Sequence, residues 1–564
     1  MLQAFSLIYL TVLVFVACDN TLLPPNTHDF NALMAFLSLV FLCMAFVLRK
    51  EKEGYGVSAL SISLILFLLY SSGSFYFSLN ADLSIYPALK LLSALFLAIA
   101  LIYFLKDIEI LKKALFMVFA FAGLMAASGV VEQFFPFLLP SQGPIVGVLR
   151  SFFQNPNFFA GYLIIHVPIG VYLYFRASSL FEKVLTGLGW ILILVSLGLS
   201  KSQGGQLAAG LQIFVIIRYF LARKEPDRAK LVILGTLISI LIYLVLSKLI
   251  LAPDILPLEK VDEIEIRDPW VFETIVLRLL YWSGAWRIFT DHWLLGSGLW
   301  TFVELYPQTG LDRLPAHAHN LYLQTAAETG LIGLGLLIVC LTTLCSTVAR
   351  IFKKGRAEVV AINFYIAASL AGFLLHNISE YNWLTANFIY YFVFLLIAVE
   401  VLNRETQGRE KWVLMFKGTV AVPIIVVLGA FTVLQYYSYQ RIISHNIPLS
   451  NTLNEMSSHA ERAKDLCHQC GKPHYVSGIA RLEMYRLSQN SQDLVQAEQD
   501  FNEAIRRNPN GLGTYLLLAR TKTLQGNISE ARKYYKKAMK DPRYRSEALS
   551  RFINLGKSHD AVEP

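Results

Sequence analysis

Apolar runs broken by short polar stretches dominate the first three quarters of the chain. Runs of roughly 17–25 residues are long enough to cross ~30 Å of hydrocarbon as helices. The pattern predicts thirteen spans, near residues 2–18, 30–48, 56–71, 83–105, 112–131, 156–175, 184–200, 204–222, 231–251, 320–349, 358–376, 384–402 and 413–434. The first run, MLQAFSLIYLTVLVFVACDN, also has features of a signal peptide ending at a cysteine. It lacks a basic start and many apolar runs follow, so it reads as a first span. Two segments break the pattern. Residues 252–319 read as one long loop, and loops of that length are commonly functional. From 435 to 564 the chain turns polar and helical in composition.

That polar segment contains a repeat. Ala497, Phe501, Ala504 and Pro509 fit the A-x3-F-x2-A-x4-P pattern of a tetratricopeptide second helix. One 34-residue period later stand Ala531, Tyr535 and Ala538, and one period earlier Ala463, Cys467 and Cys470. Three tetratricopeptide-like hairpins are expected, the first degenerate, with a concave face suited to a protein or peptide partner. This register reads CHQC at 467–470 as packing positions or a disulfide. A zinc site normally shows a second Cys/His pair at defined spacing, and none is present. Cys18, Cys43, Cys340 and Cys345 lie in apolar runs and read as small core residues.

Charge adds orientation. Only 16% of residues are charged and 55% are hydrophobic, against about a quarter charged in a soluble domain. The net charge of +9 is spread in clusters between spans, not pooled into a nucleic-acid patch. Loops at 49–55, 106–113, 176–183, 218–230, 350–356 and 403–411 hold twenty Lys and Arg, whereas those at 19–29, 72–82, 132–155, 201–203 and 377–383 hold two. By the positive-inside rule the N-terminus is cytoplasmic. An odd number of spans then puts everything past about 435 outside. The expected architecture is all-α: a membrane bundle over 1–434 with an outer loop at 252–319, followed by an extracytoplasmic repeat domain over 435–564.

The segment richest in chemistry is AHAHNLYLQTAAETGLIGLGLLI at 316–338, where His319 and Asn320 stand at the outer mouth of a span, followed by Gly330 and Gly333 in an H-N-x9-G-x-x-G pattern. Upstream lie SFFQNPNFFAGYL at 151–163 and LRLLYWSGAWRIFTDHWLLGSGLWTF at 277–302, the latter with Arg278 four residues before Trp282 and a D-H-x-L-x-G-x-G run. In this order, over roughly residues 120–400, these segments resemble the O-antigen ligase and O-antigen polymerase family of membrane glycosyltransferases. The resemblance implies a GT-C-like bundle of about 12–13 spans in a bacterial inner membrane. It also implies inverting, metal-independent transfer without a cofactor, with His319 and Arg278 as catalytic residues.

The residue types suit that chemistry on their own terms. Attack by an acceptor hydroxyl on a sugar carried by a polyprenyl diphosphate builds negative charge on the leaving group, which a guanidinium binds bidentately. The hydroxyl needs a base, and histidine is the side chain suited to that near neutral pH. Neither a P-loop nor a D-x-D-like pair in the outer loops offers a nucleotide or metal site. Arg287 is the second candidate arginine. Nine residues turn a helix by about 900°, so it and Arg278 face opposite ways and only one meets the phosphates. Asn320 and Asn157 are expected at the substrate. SKSQGGQ at 200–206 puts Gln203 where the family has an arginine, with Lys201 two positions earlier as an alternative charge. His317 reads as loop-shaping, Glu328 as structural, and Gly330, Gly333 and Gly335 as a device for close helix packing.

Three enzymatic readings share these residues: ligation of O-antigen to lipid A-core, polymerisation of repeat units, and transfer of glycan to protein hydroxyls. The partners are a polyprenyl-diphosphate-linked glycan, a glycan, lipid or protein acceptor, membrane lipids and a protein docked on the repeats. The alternative class is a non-enzymatic polysaccharide transporter or assembly scaffold. Transporters often carry internal repeats between halves; here the single asymmetric outer loop argues for a one-sided site.

Overall fold

The computed structural model describes residues 9–10, 27–47, 55–134, 148–153, 155–250, 271–309, 315–384, 386–407, 414–416 and 421–559. The expected span at 2–18 lies almost wholly outside them. The remaining twelve apolar runs are helices, α1 (Thr27–Val47), α2 (Ala59–Gly73), α3 (Ala81–Phe104), α4 (Ile108–Phe134), α5 (Pro156–Arg176), α6 (Leu180–Leu199), α7 (Gln203–Ala222), α8 (Pro226–Ile250), α10 (Leu321–Lys354), α11 (Ala357–His376), α12 (Ala386–Gln407) and α13 (Ala421–Arg441), and a thirteenth helix, α9 (Val271–Asp291), stands within the segment expected as a loop. Eleven helical segments among the described residues are long and apolar enough to cross a membrane. The protein is a polytopic helical bundle. Among the described residues the one addition to an all-helical plan is a two-stranded antiparallel ribbon, β1 (Tyr55–Val57) with β2 (Leu414–Phe416).

The starts of the spans are written in the sequence. Ser58, Asn80, Asn155, Ser179, Ser202 and Asn320 each accept a hydrogen bond from an amide two or three residues on, satisfying donors that a helix N-terminus leaves open. α12 and α5 sit enclosed at the centre, whereas α8 is mostly exposed at the periphery. α1 packs on α3, α2 on α10, α5 on α6 and α11, and α6 on α8.

Six further helices follow: α14 (Leu453–Leu466), α15 (Lys472–Ser488), α16 (Ser491–Arg507), α17 (Leu512–Leu524), α18 (Ile528–Ala538) and α19 (Pro542–His559). Each packs on the next. The positions Ala463, Cys467 and Cys470, Ala497, Phe501 and Ala504, and Ala531, Tyr535 and Ala538 are all buried. Cys467 and Cys470 form a disulfide. The turn after it meets the bundle: Asp82, in the first turn of α3, accepts from Tyr439 Oη at 2.6 Å and from the amides of Gly471 and Lys472 at 2.7 and 2.8 Å. An acid on one element thus caps α15 on another. Glu304 makes a second tie, accepting from the side chains of Asn80 at 2.8 Å and Asn508 at 3.0 Å.

α10 is broken at Gly330, which has φ 66° and ψ −167°. In an unbroken helix the amides of Leu331 and Ile332 donate to the carbonyls of Ala327 and Glu328. Here those carbonyls accept instead from the amides of Ser297 and Gly298, at 3.0 and 2.9 Å. The two freed amides donate to Trp293 and Leu294 oxygens, at 2.7 and 3.3 Å. The D-H-x-L-x-G-x-G run therefore plugs the break, about 13 Å down the helix from Leu321. Non-helical backbone at such depth persists only where protein satisfies it. Gly330 is a hinge of this plug, not the helix-packing device the spacing suggested.

The glycines make a sharp test. A Cβ on Gly330 would lie 2.3 Å from Leu294 O, and one on Gly298 (φ 104°) would lie 2.0 Å from Ser78 Oγ. A Cβ on Gly335 meets nothing within 4 Å. Gly330→Ala and Gly298→Ala are expected to cost about 2–4 kcal/mol through strain and overpacking, seen as a lower unfolding temperature in detergent. Gly335→Ala is neutral or mildly stabilising. Equal unfolding temperatures for all three variants would dismiss the plug.

Candidate active site

His319 sits in the turn that opens α10, with φ 48°. Left-handed backbone is uncommon outside glycine and is held by its surroundings. The His319 amide donates to His317 Nδ1 at 3.2 Å. Asn320 caps α10, its Oδ1 accepting from Tyr322 and Leu323 amides and its Nδ2 donating to Ile378 O at 2.8 Å. The Leu321 amide also donates to Asn377 O at 3.0 Å. The turn is thus strapped to the short segment joining α11 and α12.

That segment supplies a residue that sequence reasoning missed. Glu380 Oε1 lies 2.8 Å from His319 Nδ1. The carboxylate is 1% exposed, while the imidazole is 26% exposed. Burial alone would raise the Glu380 carboxyl, but the His319 hydrogen bond and the charges of His319, His317 and His376 outweigh it and hold it down at about 2. The buried His317 is pushed down to about 3, by burial first and then by the charge of His319, with Glu380 opposing. A carboxylate on Nδ1 fixes which imidazole nitrogen is left to work: Nε2.

Tyr281 on α9 stacks on the His319 ring at 5.7 Å and 26°. Arg278 is three residues earlier, on the same face of α9. It is half-buried, within electrostatic reach of His376 at the end of α11, and without a hydrogen-bond or ion-pair partner among the described residues. Arg287 faces elsewhere: exposed, it donates to Thr309 O at 2.9 Å. Lys201 and Gln203 are exposed at the start of α7, Lys201 with φ 55°. The next residue, Gly204, abuts the site, since a Cβ there would lie 3.1 Å from Ser379 Oγ and 3.4 Å from His376 Cδ2.

Asn157 is half-buried in the first turn of α5, where Asn155 and Pro156 start the helix. Its neighbour Phe158 meets the His317 ring at 6.5 Å. Asn320, expected at the substrate, spends both ends of its amide on protein and acts as a cap and strap. Glu328 lies far from His319's working face: it accepts from Gln324 Nε2 at 2.6 Å and from the amides of Trp300 and Phe302, anchoring the plug.

His317, His319 and Glu380 offer ligand-type atoms within 4.8 Å of one another, and these are residue types that bind zinc. Within this cluster Glu380 Oε1 is hydrogen-bonded to His319 Nδ1, and Glu380 Oε2 is buried without a hydrogen-bond partner among the described residues. This is the geometry of a carboxylate–histidine pair. With Arg278 one turn before the Tyr281 that stacks on His319, the fold and site define a polytopic membrane protein with a carboxylate–histidine pair at one end of its bundle.

Residues 188–338 match the family model described as O-antigen ligase. That stretch runs from α6 past the break in α10 and contains Arg278 and His319. No curated protein matches the chain. The match supports glycan transfer on lipid-linked substrates as the general activity, and an enzyme of glycosyltransferase type.

Proposed function

We propose that the chain transfers or polymerises a glycan from a polyprenyl diphosphate onto an acceptor hydroxyl at the outer face of a bacterial inner membrane. The observation that carries this reading is the Glu380–His319 pair against Arg278's helix, with His319 and Arg278 both inside the matched stretch. The acceptor hydroxyl attacks the anomeric carbon and its proton passes to His319 Nε2. The bond from that carbon to the diphosphate oxygen breaks, and the electron pair leaves with the polyprenyl diphosphate. Arg278 stabilises the charge that grows there, and Glu380 stabilises the imidazolium as it forms. The step balances without a metal or cofactor. The six C-terminal helices act as tetratricopeptide-like repeats over 435–564 on the outer side, docking a protein partner away from the chemical step. The loop charge bias supports this topology.

The test is reconstitution of the full chain in liposomes with a lipid-linked glycan and candidate acceptors: lipid A-core, a glycan primer, or a hydroxyl-bearing peptide. Release of polyprenyl diphosphate should depend on acceptor and persist in a chelator. Transfer abolished by the chelator and restored by zinc would replace the metal-free step. Translocation of intact lipid-linked glycan without cleavage would favour the transporter reading.

A further inference from the structure

At the opposite end of α5 from Asn157, about 25 Å along the helix, a hollow of about 170 Å³ opens between α5, α6 and α8. Its walls are aromatic, from Tyr174, Phe175 and Trp190. Two glycines keep it open. A Cβ on Gly235 would lie 2.7 Å from Trp190 Cζ3, and one on Gly187 would lie 3.4 Å from the Tyr174 ring. All three helices are long and apolar enough to span, so an opening between them faces hydrocarbon.

One helical turn or less beyond the hollow, each helix carries an exposed cation: Arg176 beside Phe175, Lys183 before Gly187, and Arg228 before Leu231. Arg228 is tied to the mouth, its guanidinium 5.3 Å from the Phe175 ring centre. Arg176 and Lys183 make no ion pair among the described residues. Glu225 is shared between Arg228 and Arg223, and Glu109 and Glu358 are both held by Lys112. Glu182 keeps its charge beside Lys183 while accepting from Ser178 and Ser179. Apolar walls below and a cluster of cations above, two of them without an ion pair among the described residues, match an acyl chain beneath a phosphate.

We propose that this hollow holds one acyl chain of an anionic glycerophospholipid, with the phosphate on Arg176, Lys183 and Arg228. The site is separate from the candidate active site and stands whether or not the chain transfers glycans. The cations select the headgroup; the hollow selects an unbranched chain.

The experiment is native mass spectrometry of the purified full chain with phosphatidylglycerol, phosphatidylethanolamine and a polyprenyl phosphate added at equal concentration. The wild type should retain phosphatidylglycerol at least about tenfold over phosphatidylethanolamine. Arg176→Gln, Lys183→Gln and Arg228→Gln together should erase that preference. Ile238→Trp, which fills the hollow, should lower retention of both lipids at an unchanged unfolding temperature. Equal retention of the two phospholipids by the wild type overturns the proposal, as does a preference unchanged in the triple variant. Retention of polyprenyl phosphate above phosphatidylglycerol also overturns it, marking a carrier site instead. If the filled variant unfolds, the wild-type preference and the charge variants decide the case.

Discussion

His319→Ala should lower the single-turnover rate of glycan transfer by roughly 10²–10⁴-fold, the share that general-base catalysis usually supplies. Binding of the lipid-linked donor should barely change, because in the proposed mechanism the imidazole takes the acceptor proton and does not touch the diphosphate. The substitution also relieves little backbone strain, since alanine at φ 48° is no easier to hold than histidine. His319→Asn keeps a polar side chain, and asparagine tolerates that conformation better. It separates loss of the base from collapse of the turn: a folded, donor-binding, inactive His319→Asn protein is the expected outcome. Transfer at the wild-type rate in either variant would remove His319 from the chemistry.

In the proposed mechanism Glu380 acts through His319, as a positioning residue. Glu380→Gln should lose activity while leaving donor binding intact, and Glu380→Asp should recover part of it. Because the folded-state value is depressed to about 2, the charge supports the fold above the ordinary carboxylate range near ~4.3 and its contribution is lost as pH falls through about 2. Protonation of Glu380 therefore cannot produce an acid limb of the pH–rate profile in the range where transfer is measured. If Glu380→Gln shifts such a limb, it does so through the imidazole it contacts. A purely structural role would lower the unfolding temperature without moving the profile.

Much of the bundle was legible because hydrocarbon imposes one simple rule, about twenty apolar residues per crossing. The caps at Ser58, Asn80 and Asn320 follow from local chemistry in the same way. His319 was legible from its place in a motif at the mouth of a span. Glu380 was not, because its partner is 61 residues away and the pairing is made by the packing of α11 against α10. The available signal was an acid in HNISEYNW, the short segment expected on the same side as His319. Gly330 shows a different limit. Small residues at close spacing suit both helix packing and a helix break, and only the bonds from Trp293 through Gly298 distinguish them. α9 was folded into the reading of a long loop because its 21 residues include two arginines and lack a long apolar run.

Arg278→Ala should weaken donor binding and slow transfer together, because in the proposed mechanism the guanidinium meets the diphosphate both before and during bond breaking. Losing a charge-assisted, bidentate contact to phosphate costs about 2–4 kcal/mol, or roughly 30–1,000-fold in transfer efficiency. Arg278→Lys should rescue only part of this, since one ammonium cannot reproduce a planar fork. Arg287→Ala is the matched control: same helix, opposite face, and a side chain already donating to Thr309 O. It should leave donor binding within about twofold of wild type. Gln203→Arg probes the departure from the family pattern, because the start of α7 abuts His376 and Ser379. A guanidinium there should tighten donor binding if the phosphates reach α7, and should partly compensate Arg278→Ala. The measurements are donor affinity and single-turnover rate in nanodiscs at matched folding. Should Arg287→Ala lose donor binding while Arg278→Ala keeps it, the two faces of α9 have been assigned the wrong way round.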